Sequence, residues 1–139
     1  MRVRLILLYF LTFHLFCGSV RDAKAYDFDI SYTYDADKII FHIQNKLGRK
    51  IPWRHINSLG VYSIKENGDH ETFLYMTNVG CIDANVELKY GIIPEGFLVK
   101  ERKSLNVGNK YIFYFIPIIL GREFRLEFTY DPPKENKSN

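Results

Sequence analysis

The sequence predicts an all-β chain, an immunoglobulin-like β-sandwich of about seven or eight antiparallel strands, and three observations carry that expectation. Aromatic residues make up 16% of the chain, with 11 Phe and 10 Tyr, types that pack well on a pleated surface. Apolar residues recur with period two in most of the patterned segments, and no convincing amphipathic helix interrupts them. Turn residues return about every eight to twelve positions, the spacing of short strands in a sandwich.

Each element follows from that pattern. Phe28, Ile30, Tyr32 and Tyr34 alternate with Asp29, Ser31 and Thr33, which describes a strand with one buried face. Asp35-Ala36-Asp37 turns the chain, and Ile39, Phe41 and Ile43 then alternate as a hairpin partner. Leu59 to Lys65 reads as a third strand, ended by Glu66-Asn67-Gly68-Asp69. His70 to Thr77 is a fourth, Asn85 to Tyr90 a fifth and Phe97 to Glu101 a short sixth. Tyr111 to Ile116 is apolar on both faces, as a central strand requires, and Pro117 stops it or marks a bulge. Arg122 to Tyr130 alternates cleanly until Asp131-Pro132-Pro133. The expected organisation is a leader over 1–25, one sandwich domain over 26–131 and a disordered tail over 132–139.

One local signal sharpens the fold. Leu105, Gly108 and Tyr111 stand at successive intervals of three before a strongly apolar strand. That spacing resembles a tyrosine corner, in which a tyrosine near the start of a late strand bonds upstream backbone. The plainer alternative is an ordinary strand-opening tyrosine.

The first 25 residues have the layout of a secretory signal peptide. Arg2 and Arg4 precede the apolar run from Leu5 to Phe16, and the small residues Ala23 and Ala25 fit a cleavage site before Tyr26. The run is too short to span a bilayer, which takes about 20 apolar residues. Cys17 offers a second fate, acylation as a bacterial lipoprotein, although bulky Phe16 stands where that processing favours a small residue. The expected location is the bacterial periplasm, with a membrane-anchored lipoprotein as the alternative. Arg2, Arg4, Arg21 and Lys24 against Asp22 account for the whole charge excess, so the rest balances at 15 against 15. A neutral domain argues against a nucleic-acid partner, which needs a concentrated positive field. With Cys17 in the leader, Cys81 is left without an intramolecular disulfide partner, and a small buried hydrophobe is its simplest role.

Catalytic and metal signatures are absent. His42, His55 and His70 stand at no metal-ligand spacing, and no nucleophile elbow, phosphate loop or dinucleotide fingerprint occurs. Asp27/Asp29 and Asp35/Asp37 lack the glycine and distal glutamate of a calcium loop. The expectation is a non-enzyme with no cofactor and no metal.

Binding chemistry concentrates in Lys46 to Ser58. This segment holds Lys46, Arg49, Lys50, Arg54, His55 and the single tryptophan, Trp53, without one acid. Trp and Arg join broad apolar contact to forked hydrogen bonding and dominate binding hot spots. Arg49, Trp53, Arg54 and His55 are therefore the candidate contacts for a protein partner. The alternative is structural: Ile51 and Trp53 cap one end of the sandwich while the cations face water.

Lys89-Tyr90-Gly91-Ile92-Ile93-Pro94-Glu95-Gly96-Phe97, followed by Leu105, Gly108 and Tyr111, resembles the C-terminal half of small bacterial envelope proteins described as type VI secretion immunity periplasmic lipoproteins. The resemblance implies a compact periplasmic β domain that binds and neutralises a toxin, and it carries no catalytic residues. A structural or accessory subunit of an envelope or surface-appendage complex, pairing through a strand edge, is the alternative.

Overall fold

The computed structural model describes residues 26–51, 55–80 and 87–133. Eight strands form in chain order: β1 (Phe28–Asp35), β2 (Lys38–Asn45), β3 (Ile56–Ile64), β4 (His70–Asn78), β5 (Glu87–Lys89), β6 (Phe97–Arg102), β7 (Lys110–Pro117) and β8 (Phe124–Thr129). They make two antiparallel sheets, β1-β2-β5 and β6-β4-β3-β7-β8, arranged as a β-sandwich. Strands β1, β2, β3, β7 and β8 occupy the A, B, C, F and G places of an immunoglobulin-like order. The middle departs from it: after β4 the chain crosses to lay β5 beside β2, then returns to lay β6 beside β4.

Period two explains which side chains meet. Ile39, Phe41 and Ile43 of β2 are fully buried, as are Leu59 and Val61 of β3 and Phe113 and Phe115 of β7. Phe41 stacks on Phe113 across the two sheets, with centroids 4.1 Å apart and planes 9° from parallel. Phe128 meets Phe41 edge-on at 5.2 Å. The inner side of β1 is wetter than its alternation predicts, since Tyr32 keeps 36% exposure. The reason is position: β1 is an edge strand whose inner side lies over the margin of the larger sheet, with Tyr32 against Phe128 and Phe28 against Phe115 and Phe124. Strand β3 also begins three residues earlier than expected, because Ile56 is buried and pairs with Pro117.

Tyrosine hydroxyls fasten the margins of the sandwich. Tyr34 accepts the Asp131 N–H at 2.9 Å, and Tyr130 donates to the Asp37 carbonyl at 2.7 Å, so both tie the β1–β2 hairpin to the end of β8. Tyr90 donates to the Lys103 carbonyl at 2.7 Å on the opposite margin, and burial pushes its phenol up in pKa. Tyr111 opens β7 and accepts the Asn106 N–H at 2.8 Å. Gly108, at φ +83°, turns the intervening chain and donates to the Tyr130 carbonyl, while Leu105 packs on the core. This backbone bond five residues upstream is the contact that the Leu105/Gly108/Tyr111 spacing describes.

The candidate leader with Cys17, Ala23 and Ala25, the candidate contacts Trp53 and Arg54, and Cys81 lie outside the described residues, as does 134–139 of the expected tail. Tyr26, the expected first mature residue, is half-buried just ahead of β1.

Candidate functional site

The β2–β3 connection starts as a tight, pinned turn. Asn45 organises it: its side-chain oxygen accepts the N–H groups of Leu47 (3.1 Å) and Arg49 (3.0 Å). Its own N–H donates to the Arg49 carbonyl, and Gly48 closes the turn at φ +73°. Asn is suited to this task because its short amide copies a backbone turn. The far side of the connection is held by the Ile118 N–H, which donates to the His55 carbonyl at 2.9 Å. Backbone thus ties the β2–β3 and β7–β8 connections together at one end of the sandwich.

The basic residues counted in this segment do not act as one patch. Lys46 turns back to Asp29 at 2.6 Å, which raises the lysine's pKa, and Lys50 leans toward Glu87 at 3.8 Å. Ile51 is buried in the core. Arg49 and His55 share the wall of a cavity of about 270 Å³, whose other side is formed by Tyr26, Phe28, Pro117 and Leu120. Ile119 lines the same cavity, and the two connections also carry exposed Leu47 and Ile118, with Ile118 and Ile119 at 57% and 59% exposure. The segment around Ile118 and Ile119 is missing from the sequence-based expectation. Its signal was available in an apolar run, Ile116-Pro117-Ile118-Ile119-Leu120, that continues past the strand-ending proline.

A second surface was not foreseen either. Leu59 and Val61 point into the core, so Ser58, Gly60 and Tyr62 face outward on the larger sheet. Register sets Gly60 between Tyr75 of β4 and Tyr114 of β7. A Cβ at Gly60 would lie 2.4 Å from the Leu74 carbonyl oxygen and 2.8 Å from the Tyr114 ring, so only glycine leaves room for that ring. Tyr62 stacks on His70 at 4.6 Å and meets Tyr114 at 5.8 Å. Burial pushes the Tyr114 phenol up to about 12, with Tyr75, Glu123 and Tyr62 adding to the rise. The Tyr62 hydroxyl is buried without a hydrogen-bond partner among the described residues. Such an unsatisfied group costs about 1–3 kcal/mol.

His42 is half-buried and bonds Thr33 Oγ1 at 2.8 Å, a cross-strand role. Among the described residues no group of three or more His, Cys, Asp or Glu is placed to hold a metal ion, and no helix is long and apolar enough to cross a membrane. Comparison of the chain with protein-family models, curated proteins and solved structures finds no match.

Proposed function

We propose that this protein is an exported, non-enzymatic binding module of the immunity type, which neutralises a toxin in the bacterial periplasm by covering part of its surface. The observation that carries this reading is the end of the sandwich where Arg49, His55 and Ile119 line one cavity and the same two connections expose Leu47 and Ile118. Apolar contact area beside a forked cation is the composition of a protein-binding hot spot. Pinning of both connections by backbone bonds supports the same reading, because a preorganised surface loses little entropy on binding. Trp53 and Arg54 lie in the same segment of the sequence, between Arg49 and His55. The resemblance of the Tyr90–Tyr111 region to immunity lipoproteins supplies the toxin as partner, and Cys17 decides between a soluble and a lipid-anchored form.

The full chain, expressed with its leader and recovered from the periplasm, is expected to bring down one protein partner. It should also protect cells that express a toxin encoded beside it. Ile119→Asp combined with Arg49→Ala alters only exposed side chains and should release the partner while leaving the thermal midpoint in place. Recovery of the chain alone, or full protection by the double variant, would refute the proposal.

A further inference from the structure

The outward face of the larger sheet carries a hollow of about 380 Å³, distinct from the end of the sandwich. Its floor holds the stacked pair Tyr62 and His70, with the Tyr114 ring tilted 55° against Tyr62 and given room by Gly60. Its rim is a joined acceptor and donor: Arg125 Nε donates to Glu123 Oε1 at 2.6 Å. That single bond leaves the guanidinium's terminal amino groups and the second carboxylate oxygen to offer bonds side by side. The charges acting on the Tyr62 phenol include those of Arg125, Glu123 and Glu127, so the orphaned hydroxyl belongs to the same corner of the hollow.

We propose that this hollow binds a neutral saccharide ring. The apolar face of a sugar ring stacks on an aromatic ring, and exposed His70 and half-buried Tyr114 supply the rings. Adjacent sugar hydroxyls each give and accept a hydrogen bond, which is what a paired carboxylate and guanidinium present together. Glu123 and Arg125 cancel in charge, which favours an uncharged ligand over a phosphate or an ammonium. The cavity lies within the size range of small-molecule sites, about 300–1,000 Å³. The Tyr62–Tyr114 centroid distance of 5.8 Å puts these rings in contact and leaves no open cage, which disfavours a cation held between them.

Titration of the full chain with cellobiose and with N,N′-diacetylchitobiose, followed by NMR shifts of the tyrosine rings and by calorimetry, tests the proposal. At least one disaccharide should saturate the site, with a Kd on the order of 1 mM. Arg125→Ala and Glu123→Gln should each weaken binding about fivefold or more, the loss of one hydrogen bond, while Lys38→Ala at the start of β2 leaves it unchanged. The Glu123→Gln result is diagnostic because this variant keeps the side chain's length and exchanges one of its acceptors for a donor. The proposal is overturned by failure of both sugars to saturate, by unchanged affinity in both variants, or by uracil binding as tightly as the sugars. Loss of a captured protein partner on Arg125→Ala without any sugar binding would make the face a protein contact and overturn it equally.

Discussion

The two faces of the five-stranded sheet are both aromatic, yet they use their rings for different ends. The inward face carries Phe113, Phe115 and Phe128, closed against Phe41 of the other sheet. The outward face carries Tyr62, Tyr75 and Tyr114, three rings whose phenols give them a polar tip. A phenylalanine needs only to be dry, so it serves packing. A tyrosine must also satisfy an oxygen, so a face built of tyrosines is costly unless water or a partner meets it. The same chemistry separates tyrosines within the molecule: Tyr34, Tyr90, Tyr111 and Tyr130 all have backbone partners at the sandwich margins, whereas Tyr62 has none among the described residues.

The largest expected effect lies on the inward face. Phe113→Ala removes the ring that stacks on Phe41 at the centre of the core and should destabilise the fold by about 3–5 kcal/mol in urea unfolding. A loss below about 1 kcal/mol would mean the inner face is not the stabilising one. Gly60→Ala comes next. The new methyl would meet backbone oxygen, which cannot move aside as a side chain can, and the expected cost is about 1–3 kcal/mol of overpacking. The shift should be accompanied by displaced Tyr114 ring resonances.

Tyr111→Phe tests the margin. It deletes the acceptor of the Asn106 N–H and leaves that donor without its partner, so a loss of about 1–2 kcal/mol in denaturant unfolding is expected. A neutral result would reduce the tyrosine corner to an ordinary buried ring.

Much of this contrast can be read in advance from the chain, and the limit is physical. Alternation alone places Ile39, Phe41 and Ile43 inside, because a strand with one dry face has no other way to arrange them. The Leu105/Gly108/Tyr111 spacing is legible for the same reason: the contact it encodes is local. The outward platform is not legible, because Tyr62, Tyr75 and Tyr114 come from three strands and meet only through register, including an irregularity between Val61 and Tyr62. The crossover to β5 is equally hidden, since pairing beside β2 is decided by contacts about fifty residues apart in sequence. Arg49 and His55 are visible as candidates within one segment. Their aliphatic neighbours Ile118 and Ile119 are not, because they arrive from the other end of the chain.

Alkaline pH separates the faces by ionisation. The Tyr114 phenol is raised to about 12 against an unfolded value near 10, so the folded state holds its proton more tightly. The stability this contributes is fully present below pH 10 and is lost as the pH rises toward 12. The thermal midpoint should therefore fall over that window, and Tyr114→Phe should lessen the fall in part, because burial raises Tyr34, Tyr62, Tyr90 and Tyr130 in the same sense. Phe113→Ala, with no proton to lose, should lower the midpoint by a similar amount at pH 8 and pH 11.

The smallest expected effect is the most discriminating. Tyr62→Phe keeps the ring stacked on His70 and deletes only an oxygen that has no partner among the described residues. Removing a buried, unsatisfied hydroxyl relieves a desolvation cost, so stability should stay level or rise by up to about 1 kcal/mol. Set beside Tyr111→Phe, the same chemical change should then have opposite signs at two buried tyrosines 49 positions apart. A matching loss at both sites in urea unfolding would mean that the Tyr62 hydroxyl is satisfied in solution, by water or by protein. The outward face would then be as complete on its own as the inward one.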